Sequence, residues 1–188
     1  LEPNTVFYAR PPAMPDQDLA WEMQLAAGDA LTAAGYANYE VSAWAQEDRE
    51  CRHNLNYWQF GDYLGLGAGA HAKLTVEDGT VLREQRVAHP REYLRRSQSG
   101  TLDAQRRVVS EGDLIFEFML NNSRLKQGFS MDRFSQRTSL EPEAALPGLT
   151  SAARLGLIRD AGSGRWLPTE RGWRFLNDLQ ANFLPETD

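Results

Sequence analysis

The sequence predicts an α/β (α+β) chain: a mixed helix-and-strand part over residues 1–100, followed by a small, mainly helical domain over residues 108–188. Three observations predict this class. Apolar residues recur at helical spacing over 16–34, and apolar and polar residues alternate over 38–45. From about residue 108, short helical segments surround a glycine-rich hairpin signal.

The bulk composition limits the classes of function. The chain has 188 residues, a net charge of −6 and one cysteine. An acidic chain gives no general attraction to nucleic acid or to anionic membranes. One cysteine cannot form an internal disulfide, and no apolar run is long enough to cross a bilayer, so we expect a cytoplasmic protein. Because the chain begins at Leu1 without a methionine, we expect a piece of a longer protein.

The first part of the chain contains three predicted elements. Asp16 can cap a helix over 16–34, and Gly35 suits the left-handed position that ends one. Residues 38–45 are predicted to form one strand, which in a layer of alternating strands and helices would bury both faces. A second strand is predicted from Tyr63 to Val76, interrupted by glycines.

Two local signals follow this second strand. Asp78-Gly79 predicts a hairpin with a type I′ turn, since both residues tolerate positive φ. His89-Pro90 predicts the start of a short helix at about 90–98. Residues 98–103 are polar and are predicted to be the linker between the two domains.

The predicted C-terminal domain resembles a winged helix. Its elements are helices beginning at Asp113, Met131 and Glu143 (the last reaching Leu155), a hairpin around Gly162-Ser163-Gly164, and a last helix capped by Thr169. Residues 108–188 hold nine Lys and Arg against eleven Asp and Glu, a net charge of −2. The third helix offers Arg154 as its basic residue. We therefore expect no nucleic-acid partner, because a groove reader needs several cations.

The residues richest in potential chemistry lie between Cys51 and His71. His53 could ligate iron, and Asn54, Tyr57 and Trp58 could contact a flat macrocycle by hydrogen bonding and stacking. A hydrogen-bonded structural histidine beside ordinary core aromatics explains the same residues. Cys51 could likewise be a metal ligand or a free, small apolar residue, and the residues alone leave these alternatives open.

Two further patterns allow two interpretations each. Residues 65–71 alternate glycine with small residues but lack the spacing of a phosphate-binding loop, so we favour a strand that another backbone or a ligand approaches closely. His71 at its end is expected to be a hydrogen-bonded structural residue. Seven arginines between Arg83 and Arg107 either form a solvated face paired with carboxylates or contact an anion.

Several segments carry a resemblance to a known family. They are LEPNT at 1–5, YEVSAWA at 39–45, CRHNLNYW at 51–58 and GDYLGLGAGAH at 61–71. In this order they resemble the C-terminal half of radical S-adenosylmethionine proteins of the oxygen-independent coproporphyrinogen III oxidase type. The pattern His53-Asn54-x-x-Tyr57-Trp58 resembles the haem-chaperone (HemW-type) branch. Residues from about 108 onward resemble the C-terminal helical domain of that family.

The resemblance implies a fold and a set of cofactors. The fold is the C-terminal part of a partial (β/α) radical-SAM barrel followed by the winged-helix-like domain. The full-length protein would bind S-adenosylmethionine and a 4Fe-4S cluster. The CxxxCxxC motif for the cluster is absent here, so we expect no metal site in this chain and no activity from it alone. Ala45 would lie near the bound S-adenosylmethionine through its backbone, and the glycine-rich strand would line the barrel.

The resemblance also implies a function: binding haem and delivering it to haem proteins, with His53, Asn54, Tyr57 and Trp58 as the haem-binding residues. The alternative is radical decarboxylation of coproporphyrinogen III in porphyrin biosynthesis, with Arg83 or Arg86 holding substrate carboxylates. A third possibility is an interaction module that docks a membrane-associated haem acceptor, with peripheral membrane contact. The HNxxYW pattern favours the haem chaperone.

Overall fold

The computed structural model describes residues 2–185. Leu1 of the first resemblance segment and residues 186–188 of the predicted C-terminal domain lie outside them. The helices are α1 Val6–Ala9, α2 Gln17–Ala33, α3 Arg52–Trp58, α4 Pro90–Ser97, α5 Glu111–Asn122, α6 Met131–Thr138, α7 Leu146–Arg154, α8 Glu170–Arg174 and α9 Leu176–Ala181, with a 3₁₀ helix at Pro142–Ala145. The strands are β1 Ala37–Glu40, β2 Ala43–Ala45, β3 His71–Thr75, β4 Val81–Arg86, β5 Asp103–Val108, β6 Phe129–Ser130, β7 Ile158–Asp160 and β8 Arg165–Pro168. The predicted class of mixed helix and strand is confirmed.

The longest helix, α2, forms as its end signals predict. The Asp16 side chain accepts a hydrogen bond from the Leu19 backbone N at 2.8 Å, and Gly35 has φ of +83°. The helix contacts its surroundings through Gly28, which faces Trp44, and through Trp21, whose ring lies 4.7 Å from the Arg174 guanidinium. Within residues 2–185, no helix is both long and apolar enough to span a bilayer.

The single strand predicted over 38–45 is wrong. Residues 37–40 and 43–45 form two antiparallel strands, with Ala37 opposite Ala45. The turn between them is held by side chains: the Glu40 carboxylate accepts from the Ser42 backbone N at 3.0 Å, and the Asn38 amide donates to the Ala43 carbonyl at 3.0 Å. Hydrogen bonds of this kind reverse the chain without changing the apolar alternation.

Strands β3, β4 and β5 form an antiparallel sheet in that order. The predicted hairpin at Asp78-Gly79 is confirmed, but its turn is not type I′, because Gly79 has φ of +84° while Asp78 lacks a positive φ. The Gly79 backbone N donates to the Val76 carbonyl at 2.9 Å. The turn is therefore of the type I kind followed by a left-handed glycine.

The strand predicted from Tyr63 to Val76 is also wrong over its first half. Tyr63 pairs with Lys73 in an isolated bridge, and residues 64–70 form the loop that joins them. Gly67 and Gly69 have φ of +107° and +74°, which lets this loop reverse. The sequence also missed β5, which begins at the end of the predicted linker.

The C-terminal part has the helix and wing order of the predicted winged-helix unit, with a sheet ordered β6-β8-β7. The Ser110 hydroxyl caps α5 in place of Asp113, because it accepts from the Asp113 backbone N at 3.2 Å. The predicted third helix begins with the 3₁₀ turn, and the last helix breaks at Phe175. The Thr169 cap is confirmed.

The core is centred on Phe118, which is fully buried. Its ring makes edge contacts with Phe60, Phe129 and Phe134 at centroid distances of 5.9, 5.6 and 5.1 Å. Phe60 and Val81 come from the first part of the chain and share this core with the C-terminal helices. The segment after α3 is therefore fixed against the C-terminal helices.

An ion pair between the buried Lys73 and the exposed Asp62 ties this segment to β3. The Lys73 side chain is 1% exposed. Its ammonium lies 2.8 Å from the Asp62 carboxylate and 4.2 Å from the centre of the Phe60 ring. Burial opposes ionisation of Asp62, but hydrogen bonds from Lys73 and Thr75 outweigh it and hold the pKa of Asp62 below its ordinary value. Burial lowers the pKa of Lys73, which Asp62 partly offsets.

We predict that Asp62→Asn lowers the free energy of unfolding by about 2–3 kcal/mol at pH 7, because it leaves a buried ammonium unpaired. The Asp62 pKa is lowered in the folded state, so its contribution is present above the unfolded pKa of about 3.9 and is lost as pH falls further. Urea unfolding at pH 7 and pH 3 should show the difference shrinking at pH 3. Glu77→Gln, in the exposed hairpin turn, is the control, and an equal loss at both pH values would contradict the prediction.

Candidate functional site

Helix α3 carries the predicted haem-binding residues and is positioned mainly by its C-terminal end. Cys51 precedes it in an extended conformation with no side-chain cap. At the other end, the Phe60 backbone N donates to the Tyr57 carbonyl at 2.9 Å, and the Gly61 N donates to the Asn56 carbonyl at 2.7 Å. Phe60 has φ of +56°, which turns the chain into the core.

Asn56 and Gly61 lock the turn after α3. The Asn56 amide donates to the Asp62 carbonyl at 2.9 Å. A Cβ atom on Gly61 would lie 2.1 Å from the Asn56 amide oxygen, closer than any real contact. This position therefore requires glycine because of close approach, although its φ is not positive.

The structure brings His53 and Tyr57 together, one helical turn apart. Their ring centroids are 4.9 Å apart with the planes at 76°, and the Tyr57 ring in turn lies 4.5 Å from the Tyr63 ring. The His53 side chain is exposed and makes no hydrogen bond within residues 2–185. An exposed imidazole beside an aromatic face can ligate a metal in a flat ring, so this pair is the chemically open part of α3.

Trp58 and Asn54 lie one turn apart on a different side of α3 from His53. The Arg124 guanidinium stacks over the Trp58 ring at 4.2 Å and donates to the Glu40 carboxylate at 3.1 Å. Glu40 is 2% exposed, so this carboxylate is buried with one cation against it. Trp58 therefore packs where β1, α3 and the end of α5 meet, and it does not share the open face of His53.

Two donors at this junction lack acceptors. The Trp58 indole N–H and the Arg124 Nε are buried and have no hydrogen-bond partner among the described residues. Buried donors are normally satisfied by protein or by ordered water. The junction is therefore polar and packed, and it could not have been found from sequence, since Glu40 and Arg124 are 84 residues apart.

The other predicted residues remain separate. Ala45 is buried at the end of β2, opposite Ala37. Cys51 is exposed and free. His71 was expected to be hydrogen bonded, but it is exposed at the start of β3 and has no side-chain hydrogen bond in the described part of the chain. No cluster of three or more His, Cys, Asp or Glu suited to a metal ion occurs among residues 2–185.

The arginines support the interpretation of a paired face. Arg83 donates to the Glu117 carboxylate at 2.7 and 3.0 Å and to the Tyr63 hydroxyl at 2.6 Å. Arg86 pairs with Asp103 and lies 3.3 Å from the Glu84 carboxylate. Both guanidinium groups suggested as substrate-carboxylate ligands are thus committed to partners within the chain.

Known proteins similar to this chain agree on one family. Residues 109–175 match the family model described as the HemN C-terminal domain. The chain is 42% identical over 186 residues to the heme chaperone HemW of Escherichia coli and 40% identical to that of Haemophilus influenzae. Each alignment covers 99% of this chain and 48% or 47% of the relative. The chain therefore spans about half the length of the curated relatives it matches.

A solved structure shows a similar fold. Coproporphyrinogen III oxidase (HemN) from Escherichia coli, described as a radical SAM enzyme, matches 90% of this chain and 42% of its own with a TM-score of 0.62. Its sequence identity is 16%, so this similarity concerns the fold. The Bacillus subtilis heme chaperone HemW is 30% identical over 99% of this chain.

We predict that Gly61→Ala lowers the free energy of unfolding by about 1–3 kcal/mol, because the new methyl group would overlap the Asn56 side chain. Gly28→Ala is the matched control. It lies inside α2, where a Cβ would meet the Trp44 ring at an ordinary 3.4 Å, and it should gain up to about 1 kcal/mol. Thermal unfolding should move in opposite directions for the two variants, and a neutral Gly61→Ala would contradict the assigned close approach.

We also predict that Arg124→Met lowers the free energy of unfolding by about 3 kcal/mol, because it leaves the Glu40 carboxylate buried without its cation. Arg95→Met is the control. Arg95 pairs with Glu92 on the exposed surface of α4, where solvent screens the pair and removing one partner should change the stability little. Urea unfolding measures the free energy of unfolding of both variants. Similar losses in the two would contradict a larger contribution from the Arg124–Glu40 pair.

Proposed function

We propose that this chain, which belongs to the family of HemW-type haem chaperones, binds haem on α3 and takes part in delivering it to haem proteins. The names of the relatives supply the class of cargo. What supports a site on α3 is the exposed His53 ring beside Tyr57.

In this proposal His53 and Tyr57 contact the haem directly. A neutral imidazole ligates haem iron, and an aromatic ring lying against the imidazole can cover part of the macrocycle face. Neither side chain is committed to a hydrogen bond elsewhere in the described chain. The pair is therefore available without breaking contacts that hold the fold.

Asn54 and Trp58 have supporting roles in the proposal. Asn54 is half-buried and supplies an amide donor near His53 in sequence. Trp58 is held between α3 and the Arg124–Glu40 pair, so we assign it to positioning the helix. Its loss would alter haem binding through the orientation of His53.

The residues of this chain do not fit a 4Fe-4S cluster. Such clusters are held by cysteine thiolates, usually four, and the sequence contains Cys51 as its single cysteine. For S-adenosylmethionine we propose only what the family resemblance implies, that Ala45, buried at the end of β2, lies near it through backbone atoms.

The oxidase alternative has less support from the geometry. Decarboxylation of a porphyrinogen needs groups that hold its carboxylates, and Arg83 and Arg86, which we considered for that role, are both paired within the chain. The chaperone proposal needs no such rearrangement of these two arginines. Its partners are haem and the proteins that accept haem.

We predict that His53→Ala and Tyr57→Ala each weaken haem binding at least about tenfold, a loss of about 1.4 kcal/mol or more, because each removes a direct contact. Titration of haem into the chain, followed by absorbance in the Soret region, measures the dissociation constant. His89→Ala is the matched control, since His89 is exposed and its side chain makes no cap bond to α4. Unchanged affinity in both α3 variants, or an equal loss in His89→Ala, would overturn the assignment.

A further inference from the structure

A polar cleft of about 310 Å³ lies on one face of the β3-β4-β5 sheet. Its lining is Tyr63, His71, Arg83, Glu84, Gln85, Gln105 and Arg107. The register places His71, Gln85 and Gln105 side by side across the three strands, with Arg83 opposite Arg107 in the neighbouring row of that face. One face of the sheet thus presents three polar side chains beside two guanidinium groups.

Most of these donors are not used by the fold. The side chains of His71, Gln85 and Gln105 make no hydrogen bond within residues 2–185. Arg107 is 49% exposed, and its contacts with Asp113 and Glu117 are both at 3.4 Å, the outer limit of a hydrogen bond. Arg83 by contrast is held at 2.7 and 3.0 Å. The Arg107 guanidinium could therefore bind an acceptor that approaches it more closely than the Asp113 and Glu117 carboxylates do.

We propose that this cleft is a carboxylate subsite that takes a propionate arm of a haem carried at His53 and Tyr57, with Arg107 as its principal ligand. The inference rests on the proposed function and adds the part of the cargo that the cleft recognises. Guanidinium groups bind carboxylates through two parallel hydrogen bonds, which suits a flexible arm ending in a carboxylate.

Tyr63 connects the cleft to α3. Its ring lies 4.5 Å from the Tyr57 ring, which contacts His53, and Tyr63 also lines the cleft. Arg83 donates to the Tyr63 oxygen, so the phenol hydrogen is free to be donated to a ligand. The cleft volume is at the lower end for small-molecule sites, which fits a side arm with the macrocycle resting outside on the two tyrosines.

The carboxylates nearby do not close the cleft to an anion. The Glu117 carboxylate is engaged by Arg83, and the Glu84 carboxylate, although Glu84 lines the cleft, already has Arg86 and Arg106 each 3.3 Å from it. Asp113 and Glu117 both compete for Arg107, each in a contact of 3.4 Å. A propionate would exchange these long contacts for a bidentate one.

The test compares haem with haem dimethyl ester, whose propionates are blocked, in absorbance titrations of the full chain. The wild-type chain should bind haem about tenfold more tightly than the ester, and Arg107→Gln should remove most of that preference. Arg106→Gln is the matched control: it neighbours Arg107 in β5, is 59% exposed, and lies on the other face of the sheet. It should keep the preference. Circular dichroism of each variant checks that it is folded.

The outcomes separate the subsite from the proposed function. Equal affinity for haem and ester in the wild-type chain, or a full preference retained in Arg107→Gln, overturns the subsite while leaving haem binding in place. If neither haem nor the ester binds, the proposed function is overturned and the subsite with it. A preference lost in Arg107→Gln and kept in Arg106→Gln supports both.

Discussion

The burial of Phe60 decides where α3 and its candidate residues lie. Two residues after the helix ends, Phe60 packs edge-on against Phe118 and beneath the Lys73 ammonium. Full burial of a phenylalanine side chain contributes about 1.5–3 kcal/mol, enough to offset the roughly 1–3 kcal/mol that a left-handed residue costs. The positive φ at Phe60 therefore persists, and α3 is oriented by the core of the C-terminal helices.

Much of the fold was predictable wherever a signal is local. The cap at Asp16, the left-handed Gly35 and the cap at Thr169 were read correctly, because each satisfies backbone groups within a few residues of itself. The single strands predicted over 38–45 and 63–76 were wrong for a different reason. Their reversals depend on hydrogen bonds that the Glu40 carboxylate accepts and on the pairing of Tyr63 with Lys73, which apolar alternation does not encode.

In the candidate site, too, local features could be predicted from the sequence and long-range contacts could not. The spacing of His53 and Tyr57 places both rings on one helix face, so their proximity could be read from the sequence. The partner that covers Trp58 could not, because Arg124 lies 66 residues further along the chain. Charge counting indicated no electrostatic attraction to nucleic acid, but only the structure distinguishes the tightly paired Arg83 from the loosely held Arg107.

The segment between β4 and β5 leaves and re-enters the sheet at one point. The Val87 backbone N donates to the Leu102 carbonyl at 3.0 Å, and α4 between them buries none of its residues. Closing a loop costs little more free energy as the loop lengthens, so the segment between these anchors can vary in length or accept a grafted peptide. A fluorescent reporter placed on α4 would be attached to the connection between β4 and β5, the strands that supply most of the cleft lining. Only replacement of Tyr93 would remove the hydrogen bond that its hydroxyl accepts from the Gly67 backbone N.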